Sequence, residues 1–68
     1  MKKFALLRLR HNSNTVIMDC HAKDVADAVR QFNPCLVNMP PLDKDGYAKM
    51  EDGTSFCVAE YWEPFHTI

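Results

Sequence analysis

The chain is short of the residues that small proteins use as staples or as chemical machinery. It has two glycines in 68 residues, so no glycine-rich phosphate loop can be built. Gly46 and Gly53 both stand in loop-forming contexts. It has three cysteines, Cys20, Cys35 and Cys57, which cannot all pair with one another and are too widely spaced for a disulfide framework. Neither Cys-x-x-Cys nor His-x₃-His occurs, which removes the local ligand pairs that structural zinc sites use. No run approaches the eighteen or so apolar residues of a membrane span. There are no repeats, no low-complexity tract and no linker.

What remains is an ordinary globular composition, 47% apolar and 25% charged. Its length gives one compact domain, residues 1–68. A chain this short buries only about 60% of its unfolded surface, so the core is marginal and association of two copies is one route to extra stability. Unpaired thiols fit a reducing compartment, and the cytoplasm is the expected location. Lys2-Lys3-Phe4-Ala5-Leu6-Leu7 begins like an export signal, but Arg8 and Arg10 interrupt the apolar run too early.

Net charge is −1, unevenly distributed. Residues 1–34 carry six basic against three acidic side chains, net +3; residues 35–68 carry two against six, net −4. Such asymmetry would steer a charged partner, unless strands from the two halves interleave and average it out.

Residues 3–10 and 15–22 alternate with period two and are joined by His11-Asn12-Ser13-Asn14, so they form a hairpin. A helix follows from Val25 to Phe32, with Asp24 as N-cap and Asp27 in the first turn. Val25, Ala28, Val29 and Phe32 make its apolar stripe. Asn33-Pro34 ends it. A short strand is expected at 35–39, then a loop, then a hairpin of 47–51 and 54–62 around Asp52-Gly53. The fold class is α+β: an antiparallel sheet of four to five strands with one helix packed on one face, in the order β-β-α-β-β-β.

A two-residue turn at Asp52-Gly53 would set Lys49 opposite Phe56 and Tyr47 opposite Val58. The mostly small set Ala48, Met50, Cys57, Ala59 and Tyr61 then faces the helix, with Ala5, Leu7, Leu9, Val16, Met18 and Cys20. Phe4, Leu6, Ile17, Tyr47, Phe56, Val58 and Trp62 are left on the uncovered face. Monomers seldom expose that much contiguous apolar surface without a use for it, and aromatics mixed with arginine fit an interface. The expected partner-binding residues are Phe4, Arg8, Arg10, Tyr47, Lys49, Phe56, Glu60 and Trp62.

His11, Cys20, His21, Cys35, Cys57 and His66 have no ligand spacing, and no Cys–His nucleophile pair is indicated; no metal and no cofactor are expected. The chain is expected to be non-enzymatic and to bind a protein, or a second copy of itself. Direct nucleic-acid binding through the basic edge Lys2, Lys3, Arg8, Arg10 and His11 is the second reading. The chain is slightly acidic, with pI near 6.2, and no RNP-like motif occurs. A β-β-α-β-β-β layout on fewer than seventy residues resembles small accessory proteins of phages and mobile elements, including anti-CRISPR proteins. That resemblance implies an inhibitor of a host nucleoprotein complex such as CRISPR-Cas, and it carries no individual site residue.

Overall fold

The structure, a computed structural model, describes residues 1–61. The first hairpin joins β1 (Lys2–Arg10) to β2 (Ser13–Ala22). Arg10 pairs with Ser13, so the connection is only His11-Asn12. From Lys2 to Leu6 the register is regular, with Leu6 opposite Met18. Leu7 then faces Val16, leaving Ile17 as an extra residue in β2. This β-bulge turns Val16 to the opposite side of the sheet from Met18 and Cys20. The expectation that Val16 shares their face is therefore corrected.

Helix α1 spans Val25–Phe32, as its apolar spacing predicts. The Asp24 carboxylate accepts the Asp27 N–H at 2.9 Å, satisfying one of the donors that a helix start leaves open. Asp27 reaches back to the Lys23 N–H at 3.1 Å and also accepts from Arg30 at 3.1 Å. Ala28, Val29 and Phe32 are buried against the sheet. Asn33 keeps a helical backbone (φ −53, ψ −44) despite the following proline, and a single 3₁₀ turn continues through Asn33–Cys35. The helix still stops there, since Pro34 has no N–H to extend the ladder.

This cap gives a measurable expectation. Asp24→Ala should cost about 1 kcal/mol of stability in denaturant titration. The Asp27 carboxyl is held below the ordinary aspartate range, first by the Lys23 N–H and then by Arg30. A lowered folded-state pKa contributes stability above the unfolded value, and loses it as pH falls through the folded value. Asp27→Asn should therefore flatten the stability profile below about pH 4 and leave its neutral side unchanged in shape.

The strand expected at 35–39 does not form. After the 3₁₀ turn the chain runs as an irregular loop through Asn38, whose φ is +64, a backbone no strand residue adopts. The Asn33 side chain clamps the far end of this loop. Its Oδ1 accepts the Leu42 N–H at 2.9 Å and its Nδ2 approaches the Leu42 carbonyl at 3.5 Å. Leu42 is thereby seated in the core.

The second hairpin comprises β3 (Tyr47–Lys49) and β4 (Ser55–Glu60). Its turn is one residue longer than the two-residue form. Met50 donates to the Thr54 carbonyl at 2.8 Å, and Gly53 donates to the Met50 carbonyl at 3.1 Å with φ +94. This is a type I turn closed by a left-handed glycine, the usual three-residue hairpin. Tyr47 thus pairs with Cys57, Ala48 with Phe56 and Lys49 with Ser55. Each pairing is offset by one from the expected register, and a one-residue slip moves every side chain of one strand to the other face.

The strand order is β2-β1-β4-β3, all neighbours antiparallel. The fold class is the expected one, an α+β layout with a four-stranded open sheet and one helix. The core lies between α1 and the sheet. It contains Phe4, Leu6, Ala22, Ala28, Val29, Phe32, Leu42, Ala48 and Phe56, with Met18, Cys20, Met50 and Val58 packed at its margin.

Candidate interaction surface

Alternation along the paired strands divides the sheet into two faces. Phe4, Leu6, Phe56 and Val58 lie under the helix, not on the open side as the two-residue turn implied. Phe4 and Phe56 are 2% and 7% exposed, so neither presents a surface to a partner. The expected core residues Leu7, Leu9, Cys57 and Ala59 stand on the opposite face, paired with Val16, Asn14, Tyr47 and Ala5. Ala5 is fully buried yet belongs to no part of the core cluster; it sits between Asp19 and Ala59 on the central strand. Of the expected helix-facing set, Met18, Cys20, Ala48 and Met50 do line the core.

On the face that α1 leaves open among the described residues, an apolar strip crosses the sheet from Val16 through Leu7 and Cys57 to Tyr47. Leu7, Leu9 and Cys57 are half-buried, while Val16 is 47% and Tyr47 is 43% exposed. The Tyr47 hydroxyl lies 3.2 Å from the Ser55 hydroxyl, which holds the ring along β4. Polar groups edge the strip. Lys3 pairs with Asp19 at 3.8 Å, and its ammonium lies 5.2 Å from the Tyr61 ring centre. Exposed Lys49 and His21 complete that rim. Strip and β2 are continuous, because Val16 belongs to both. β2 is an outer strand of ten residues whose segment 13–18 carries no charge and no proline. Gln31 donates to the His21 carbonyl at 2.8 Å, so α1 covers only the far end of that edge.

Of the expected binding residues, Tyr47 and Lys49 share the open face. Arg8, Arg10 and Glu60 lie on the helix side instead, Arg8 opposite Thr15 and Phe56, and Glu60 opposite Phe4. Glu60 pairs with Lys2 at 3.8 Å. Trp62 lies outside the described residues. The charge asymmetry of the two chain halves is largely interleaved, because β1 lies directly between β2 and β4. Sequence reasoning missed Leu7, Leu9, Val16, Cys57 and Ala59. Total side-chain volume would have pointed to them, since an eight-residue helix with one phenylalanine needs large partners beneath it, and Phe4, Leu6 and Phe56 supply them.

Cys20 packs at the core margin, where burial first, then Asp27 and Asp19, push its thiol pKa up. A raised pKa keeps it protonated and a poor nucleophile. All three cysteines are free, and Cys35 is exposed with its Sγ 3.8 Å from the Gln31 carbonyl. Among the described residues no group of three His, Cys, Asp or Glu side chains converges, and no helix is long and apolar enough to cross a membrane. In comparisons with known proteins, no family model, no curated protein and no solved structure matches this chain.

Proposed function

We propose that the chain is a non-enzymatic domain that binds a protein partner through its uncovered sheet face. One observation carries the reading: among the described residues the apolar strip Val16, Leu7, Cys57 and Tyr47 has no helix over it, and it runs without interruption into an uncharged strand edge. An open edge offers unpaired backbone donors and acceptors, and a strand added there gains main-chain hydrogen bonds plus contact with the strip. The cytoplasm is the compartment proposed, since three free thiols suit a reducing environment. The narrower form of the reading is an inhibitor that occupies a host nucleoprotein complex such as CRISPR-Cas. Its support is only the general α+β layout, one helix on a four-stranded antiparallel sheet without the strand expected at 35–39, and it is tested by adding the purified chain to such a complex and measuring target binding.

Val16 and Tyr47 are exposed, so Val16→Asp with Tyr47→Ala should leave the circular dichroism spectrum and melting temperature nearly unchanged. The same pair should weaken capture of a partner held by the native chain about 30-fold, the scale of one lost interface hot spot. Equal capture by both chains would show that this face is not the contact. Sedimentation of the native chain identifies the case in which the partner is a second copy.

A further inference from the structure

A run of three β-branched residues, Thr15-Val16-Ile17, lies on an unguarded edge of the sheet, in the outer strand β2. Such residues are the strongest strand formers. Every residue from Ser13 to Ile17 is exposed, and Val16 and Ile17 are large apolar groups at 47% and 37%. Native edges are commonly guarded by lysine, proline or shortness. Residues 13–18 hold neither lysine nor proline, and β2 is ten residues long.

The backbone on this edge has a defined direction. The Tyr61 N–H donates to the Lys3 carbonyl at 2.7 Å, so Lys3, Ala5, Leu7 and Leu9 turn their backbone groups toward β4. Asn14 and Val16 stand opposite Leu9 and Leu7, and therefore point theirs away from the sheet. Residues 13–16 keep a regular register against β1, and the bulge begins only at Ile17. Beyond it Gln31 already donates to the His21 carbonyl at 2.8 Å. The opposite edge of the sheet is closed. Asp43 accepts the Tyr47 N–H on Oδ1 at 3.0 Å and donates its own N–H to the Tyr47 carbonyl at 2.9 Å, and Lys49 adds a charge there. Among the described residues the sheet thus has one open stretch of edge, 13–16.

We propose that this stretch pairs with the same stretch of a second copy, antiparallel and centred on Thr15. A two-fold axis there sets Asn14 of each copy opposite Val16 of the other, so the outward-facing residues exchange main-chain hydrogen bonds on both sides of the axis. Thr15 then meets Thr15, a favourable cross-strand pair. No like charges come face to face, because residues 13–18 are uncharged and Asp19 is paired with Lys3 at 3.8 Å. With one open edge per chain, the pairing closes at two copies and does not grow into a fibre. A marginal 68-residue core also gains stability from association, which favours a second copy over a foreign strand. On the open face the two Val16 side chains become diagonal neighbours, so two strips join into one that runs from Tyr47 to Tyr47. The use of that doubled strip rests on the protein-binding reading; the pairing itself is tested on the chain alone.

The experiment is sedimentation equilibrium of the folded chain over a range of concentrations. The native chain should pass from monomer to dimer and no further, with a melting temperature that rises over the same range. Thr15→Lys and Thr15→Glu each set like charges face to face across the axis, and each should weaken self-association about tenfold while the circular dichroism spectrum is kept. Mixing the two variants should restore the dimer, because opposite charges then meet; the register centred on Thr15 requires this rescue. Asn14→Pro removes one outward N–H without touching the ladder to β1, and should also weaken the dimer. Tyr47→Ala, at the closed edge, should leave it unchanged. A native chain that stays monomeric, or a dimer indifferent to both Thr15 changes, would overturn the pairing. Two monomeric Thr15 variants that do not rescue each other would overturn it as well. If the native chain is monomeric while Val16→Asp with Tyr47→Ala still weakens capture of a partner, the self-pairing fails alone. If the dimer behaves as expected while that double change leaves capture intact, the face reading fails and the pairing stands.

Discussion

Phe32→Ala should leave the chain largely unfolded. Phe32 and Leu6 are the two largest side chains that the structure buries completely. Phe32 closes the apolar stripe of α1, and an eight-residue helix does not hold itself in water. Its stability comes from docking on Phe4, Leu6 and Phe56. Truncating a buried phenylalanine costs about 3–5 kcal/mol, the lost transfer energy plus the cavity left behind. A domain of this length has roughly 3–10 kcal/mol in total at the usual stability per residue. The expected result is collapse of helical circular dichroism and of amide dispersion in the variant. The same physics checks which side of the sheet is the core. Phe56→Ala should cost about as much as Phe32→Ala, whereas Leu7→Ala, half-buried on the open face, should cost only about 1 kcal/mol in denaturant titration. Equal costs for Phe56 and Leu7 would mean that the helix covers the other face.

That comparison bears on how much of the molecule was legible beforehand. The first three elements were, because their signals are local. Val25, Ala28, Val29 and Phe32 sit three or four residues apart, and Asp24 precedes them with a side chain suited to capping, so both helix ends follow from the residues beside them. The second hairpin was legible as a hairpin but not in register. Asp52-Gly53 is compatible with a two-residue turn or with the last two residues of Glu51-Asp52-Gly53, and the flanking sequence alternates acceptably either way. Only packing decides between them. The longer turn places Phe56 beside Ala48 and under Phe32, and so fills the volume below the helix.

The candidate surface inherits that difference, since its residues are whatever the core does not take. Phe4 and Phe56 leave the set, Tyr47 and Lys49 stay, and Leu7, Val16 and Cys57 join it. Two further features were out of reach of local pattern. The bulge at Ile17 exchanges one face assignment in the middle of β2, and it is stable because Met18 then meets Leu6 while Val16 meets Leu7. The missing strand at 35–39 has a similar origin. Its residues are strand-like in composition, but the Asn33 clamp on Leu42 closes that segment as a loop before it reaches a sheet edge.

Gly46→Ala should be far more damaging than Gly53→Ala, although both glycines have positive φ, +79 and +94. Gly53 tips an exposed turn, and a methyl group there would meet nothing within 4 Å. Its substitution therefore carries only the left-handed backbone penalty of about 1–2 kcal/mol, reduced by the lower entropy of an unfolded chain with alanine. Gly46 is buried where the loop passes between sheet and helix. A Cβ there would stand 2.9 Å from the Val58 Cβ, 3.1 Å from its Cγ2 and 3.2 Å from Val25 Cγ1. Overpacking adds about 1–3 kcal/mol to the same backbone penalty, for a total near 3 kcal/mol. Neighbouring side chains cannot simply step aside. Val58→Ala removes the Cγ2 contact but keeps the shortest one, so it should not rescue Gly46→Ala. Backbone movement is resisted at both ends, since the Gly46 N–H donates to the Asp43 carbonyl at 2.9 Å and its carbonyl accepts the Val58 N–H at 2.8 Å. Tyr47 follows directly and opens β3, so any shift at Gly46 also moves the aromatic at the end of the exposed strip. Gly46→Ala should therefore lower the denaturation midpoint and weaken partner capture together, while Gly53→Ala lowers the midpoint slightly and leaves capture intact. Parallel losses for the two variants would show that the passage between Val58 and Val25 is looser than these distances require.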